Sequence, residues 1–114
     1  MAAELRRHAL RLPGATEGIA CAGAPLECPT VTAGGKTFVF LADGEIRLKL
    51  RASLAEAEAL AAAEPGRYAV GAHGWVTIRQ PIAPAELDRL TDWVEESFRL
   101  IAARKLVAQL PARD

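Results

Sequence analysis

Asp43-Gly44 constrains this chain more than any other pair of residues. An aspartate-glycine pair between two β-prone runs closes a two-residue hairpin, because glycine readily takes the positive φ that such a turn requires. The runs are KTFVFL at 36–41 and EIRLKLR at 45–51. Closing the turn sets residues whose numbers sum to 87 opposite one another. Leu41 then faces Ile46, Val39 faces Leu48 and Thr37 faces Leu50, all on an aliphatic side. Phe40 faces Arg47, Phe38 faces Lys49 and Lys36 faces Arg51 on the other side. That second face mixes rings with cations, a surface suited to anions and bases. The sorting requires an unbroken ladder, since one bulge carries side chains to the opposite face.

The rest of the pattern supplies a layer to cover the aliphatic side. Leu5, Ala9 and Leu12 recur at helical spacing and predict a first helix over 3–12, stopped by Pro13-Gly14. Residues 17–24 read as a weak strand or loop, and 29–32 as a short strand leading through Gly34-Gly35 into the hairpin. Ser53-Leu54-Ala55-Glu56 has the form of a capping box, followed by strong helix formers to Ala63 and ended by Pro65-Gly66. Strands are expected at 67–70 and 75–79. Pro84 suits a first helical residue. Leu87, Leu90, Val94, Phe98 and Ile101 then trace one stripe of a long helix running to about Leu110. The order predicts an α+β fold of one domain spanning 1–114, an antiparallel sheet with helices packed on one face.

Composition limits what such a domain does. Half the residues are apolar, but 24 are alanine, so Leu, Ile, Val, Phe and Trp carry the core. Fourteen bases balance fourteen acids. Dedicated non-specific DNA binders are strongly basic, so any affinity for nucleic acid must come from a local patch. Cys21 and Cys28 have no second Cys or His pair nearby and read as structural or incidental thiols, with a disulfide or redox pair as the alternative. The N-terminus lacks the apolar run of a signal peptide, and no stretch reaches the length of a membrane span, so a cytoplasmic protein is expected.

LPGATEG after a first helix, GGKTFVFL, EIRLKL, AVGAHGWVTI and a closing EESFRLIAARK occur in an order and spacing that resembles the YjbR/MmcQ family over roughly residues 4–108. The resemblance implies a CyaY-like, frataxin-like fold, a two-layer sandwich of antiparallel sheet and helices. It also implies DNA binding, the property with which that family is associated.

Within residues 34–51 and 67–80 stand six Lys or Arg and two acids, Asp43 and Glu45, both at the hairpin tip. Lys36, Arg47, Lys49, Arg51, Trp75 and Arg79 are therefore the candidate nucleic-acid-binding residues. Cations would meet phosphates, and rings would stack on exposed bases. The same pattern suits an ordinary solvated face whose Lys and Arg stems cover Phe38 and Phe40. His73-Gly74-Trp75 is either a pocket lining or a packed sheet edge, and Gly34-Gly35-Lys36 is a turn, because the phosphate-loop pattern is absent. The first helix, ELRRHALRL, holds too many arginines for an acidic metal ridge. No hydrolase, metal-ligand or dinucleotide motif names a reaction. The expectation is a binding protein without catalytic residues, metal or cofactor, with DNA as partner. The alternative is a protein-interaction or homodimerisation module that uses the same face.

Overall fold

Six strands and four helices are present among the residues described by the computed structural model, 2–20, 23, 27–42 and 44–110. Helix α1 (Ala2–Leu10) precedes strands β1 (Ala15–Ala20), β2 (Cys28–Ala33), β3 (Lys36–Ala42) and β4 (Glu45–Lys49). Helix α2 (Leu54–Ala63), strands β5 (Tyr68–Val70) and β6 (Trp75–Arg79), and helices α3 (Leu87–Ile101) and α4 (Arg104–Val107) complete the chain. The strands form one antiparallel sheet in the order β1-β2-β3-β4-β6-β5. This is the α+β architecture that the alternation of strand and helix patterns predicts. No helix is long and apolar enough to cross a membrane.

The hairpin forms at the expected register. Ala42 pairs with Glu45, Leu41 with Ile46, Phe40 with Arg47 and Val39 with Leu48. Gly44 has φ +80°, while Asp43 lies outside the described residues. Val39, Ile46, Leu48, Val76 and Ile78 are all buried in one core, with α3 packed on β3 and β4 and α1 on β3. Helix α3 buries Leu90, Trp93, Val94, Ser97 and Phe98, a stripe at spacings of three and four. Helix α2 lies against β5, and the Trp93 indole nitrogen donates to Glu56 Oε1 at 3.3 Å. Cys28 is buried, and Cys21 lies outside the described residues.

One residue further along β3 the alternation fails. Val31 pairs with Val39, but Thr32 pairs with Thr37, so the register slips and Phe38 becomes the extra residue of a bulge. Phe38 is 0% exposed and meets Phe98 edge-on, ring centroids 5.3 Å apart. The expectation that Phe38 stands on the ring-and-cation face is thus corrected: the bulge turns it into the core. Ser97 explains why the bulge is stable. Its hydroxyl donates to Phe38 O at 2.6 Å and accepts from Lys49 N at 3.0 Å. Those are the two backbone groups that an unbroken hairpin would have joined, so the helix completes the ladder through a side chain. Beyond the bulge Thr37 sits opposite Thr32 and Lys36 opposite Ala33, and β4 ends at Lys49. The expected pairs Thr37–Leu50 and Lys36–Arg51 therefore do not form; Leu50 N instead donates to Gly74 O at 2.9 Å.

Two other expectations change. Ser53 makes no side-chain cap on α2. Its N–H and hydroxyl both donate to Glu96, at 3.1 and 2.7 Å, and Arg51 N donates to the same carboxylate at 2.7 Å. A tertiary partner has displaced the local capping box. The closing helix does not run to Leu110 either: Ala102 and Ala103 are extended (ψ 155° and 147°), and the chain re-enters a helix at Arg104. The Leu106 methyls then reach 3.0 Å from where a Cβ on Gly14 would sit, which packs α4 over the turn after α1. No Pro or Gly marks that break.

A second polar knot ties β5 to the start of α3. Arg67 donates to both oxygens of Glu86, at 2.9 and 3.0 Å, and to Pro81 O at 2.7 Å. Buried Tyr68 donates to Glu86 Oε2 at 2.9 Å. The Arg67 guanidinium holds the Glu86 carboxyl below its usual value of 4.5, against the opposing effect of burial and with help from Tyr68. Burial pushes the Glu96 carboxyl up, but the bonds from Arg51 and Ser53 outweigh it and the net shift is downward.

Three outcomes are expected for stability. Ser97→Ala leaves Phe38 O and Lys49 N without their partner and should cost about 1–3 kcal/mol, read as a lower denaturant midpoint at unchanged slope. Gly74 has φ +81°, and a Cβ there would lie 2.4 Å from Leu50 O. Gly74→Ala should therefore cost more than the ~1–2 kcal/mol of a left-handed residue alone, whereas Gly66→Ala, with open space around it, should be nearly neutral. Both carboxyls have folded pKa values below 4.5, so their stabilisation is present above that pH and is lost as pH falls through the lower folded values. Glu86→Gln should be less stable than the parent at pH 7 and lose less stability on acidification, measured by denaturation midpoints across a pH series.

Candidate functional site

The face of the sheet away from the helices is built by one uninterrupted row. Gly18 pairs with Thr30, Thr30 with Phe40, Phe40 with Arg47, Arg47 with Thr77 and Thr77 with Ala69, so these six positions cross all six strands on one side. Small side chains lie toward both edges and leave Phe40 and Arg47 prominent at the centre. In the neighbouring rows Lys49 pairs with Trp75, and Glu45 with Arg79.

The centre of this face has a defined geometry. The Arg47 guanidinium carbon lies 5.3 Å from the Phe40 ring centroid. Phe40 and Trp75 meet edge-on at 5.7 Å with an interplanar angle of 66°. Together the three side chains line an open cavity of about 380 Å³. A guanidinium over a ring at an exposed site is worth about 0.5–1 kcal/mol, enough to bias its position while leaving it free to meet an anion. Arg47 also lies 4.0 Å from Glu45, but both side chains are more than a third exposed, so water and salt weaken that pair.

Of the six residues singled out by sequence, the structure gathers four. Arg47, Lys49, Trp75 and Arg79 share the open face by register. Lys36 does not, because the bulge sets it opposite buried Ala33 on the helix side of the ladder, where its side chain is exposed at the sheet's end. Arg51 lies past the end of β4, exposed, its backbone held by Glu96. Arg67, counted with the cations of this region, is committed to Glu86 and Pro81.

The other segments resolve as turns. Gly34 and Gly35 have φ of 59° and 82° and form the two-residue link between paired Ala33 and Lys36. His73 has φ 60° and ψ 26°, and with Gly74 it leads into β6. Among the described residues no three His, Cys, Asp or Glu side chains come together. Sequence reasoning missed Ser97 and Trp93. Trp93 fits the apolar spacing of α3, but a lone buried serine carries no periodic signal of its own.

The arrangement offers rings for flat apolar groups and cations for anions. Comparison with known proteins adds a family. No curated protein matches the chain. The YjbR family model matches residues 10–100, a span that takes in all six strands, α2 and most of α3. The chain therefore belongs to the YjbR family.

Proposed function

We propose that this protein is a non-enzymatic module that binds DNA through the open face of its sheet. The observation that carries the reading is the Arg47–Phe40–Trp75 cluster: a cation over one ring, a second ring edge-on to it, and a cavity open to solvent. Lys49 and Arg79 flank it, and among the described residues Glu45 is the one acid in the same rows. Cations of this kind meet phosphates, and half-buried rings stack on base faces at ~1–3 kcal/mol per base. The family resemblance supports the same partner, and with it a CyaY-like fold; the cytoplasmic setting rests on the sequence reading above. The balanced net charge fits a small patch with a limited number of phosphate contacts.

Fluorescence polarisation of labelled single- and double-stranded DNA at two salt concentrations tests this. Binding should weaken as salt rises, and Arg47→Glu with Lys49→Glu should reduce affinity by roughly tenfold or more. Absence of binding at low salt, or binding indifferent to the double variant, would reject it. A stable homodimer in sedimentation that covers Phe40 and Trp75 would instead favour the protein-interaction reading of the same face.

A further inference from the structure

A second cavity adjoins the first. It measures about 310 Å³ and is lined by Lys49, Arg51 and His73 together with Leu50, Leu54 and Leu100. Arg51 and His73 are exposed, Leu54 and Leu100 are half-buried and Leu50 is buried, so polar groups stand outside an apolar interior. Among the described residues no side-chain hydrogen bond or ion pair engages Lys49, Arg51 or His73. The acid nearest in the hydrogen-bond network, Glu96, already accepts from Arg51 N, Ser53 N and the Ser53 hydroxyl.

The position of this cavity matters more than its size. Lys49 lines it and is the ladder partner of Trp75, which lines the first cavity with Phe40 and Arg47. Gly74 lines it too and directly precedes Trp75. Stacking surface and cations thus lie about one strand spacing apart, ~4.8 Å at the backbone, a distance one nucleotide bridges. His73 is held in the left-handed region, a conformation uncommon outside glycine, by a turn whose next carbonyl is tied to Leu50 N.

We infer that the open face takes single-stranded rather than duplex nucleic acid, with an unpaired base against Phe40 and Trp75 and its neighbouring phosphate among Lys49, Arg51 and His73. The inference deepens the proposed nucleic-acid reading and rests on it. In a duplex both faces of each internal base are covered by its neighbours, so half-buried rings on a sheet reach a base face only when the base is unpaired. The few cations here also suit a short stretch of one backbone better than the dense charge of two.

The test uses the full chain and three labelled probes: an oligothymidylate strand, its duplex with the complementary strand, and the same strand with abasic sites. The intact strand should bind about tenfold or more tighter than either of the others, the loss expected when one stacked base is removed. Phe40→Leu and Trp75→Leu should weaken the intact strand and leave the abasic strand nearly unchanged. Lys49→Gln with Arg51→Gln should weaken both strands and reduce the salt slope by about 0.7 for each phosphate no longer neutralised. His73→Asn, a residue that tolerates the same backbone, should act in the same direction. Should Trp75→Leu not fold by circular dichroism, Phe40→Leu and the abasic probe carry that arm. Duplex and abasic strands that bind as tightly as the intact strand, with Arg47→Glu plus Lys49→Glu still abolishing binding, would overturn this inference and leave the nucleic-acid reading standing. No binding of any probe at low salt would overturn both.

Discussion

The Ser97 hydroxyl stands inside the sheet, between Phe38 O and Lys49 N, where a strand-to-strand hydrogen bond would otherwise run. That one bridge sets which aromatic ring is core and which is surface. It allows β3 to carry an extra residue without orphaning a backbone group, and the extra residue is Phe38. Phe38 then packs on Phe98, one position along α3 from Ser97, so the helix supplies both the polar bridge and the apolar seat. Phe40, past the bulge, stays on the open side with Arg47 and Trp75.

The same helix anchors the sheet at two further points through carboxylates. Glu96 gathers the turn between β4 and α2, and Glu86, at the entry to α3, gathers Tyr68 of β5 and Arg67 just before it. Both are half-buried and both are held ionised by their donors. The acidic residues on α3 thus divide: these two join elements, while others lie on its solvated side. The helix that covers the core also fixes the open face from behind, because Arg51 N, Lys49 N and Phe38 O all end on its side chains.

Much of this was legible in the amino-acid pattern. The Asp43-Gly44 pair predicted the hairpin register from Val39–Leu48 to the turn, and the strand expected at 75–79 forms beside β4. The bulge was not legible, because Phe38-Val39-Phe40-Leu41 is apolar throughout and offers no alternation to decide which ring is buried. Ser53-x-x-Glu56 read as a local cap, yet Glu96, forty-three residues from Ser53, won the serine. The break at Ala102-Ala103 had no signal either, since alanine favours helix and only tertiary packing opposes it. For the candidate site, this means that local pattern found Arg47, Lys49, Trp75 and Arg79, whereas Lys36 was lost to a bulge imposed by a distant serine.

The two tryptophans offer the most direct test of the sorting of one face from the other. Trp93, on α3, is buried with its indole nitrogen bound to Glu56 of α2, and Trp75 lies half-exposed beside Phe40. In a heteronuclear NMR titration with a short single-stranded oligonucleotide, the Trp75 indole resonance and the amides of Phe40, Arg47 and Lys49 should shift together, while the Trp93 indole stays in place. Shifts centred on Trp93 and the helical layer, with Trp75 unmoved, would contradict the account.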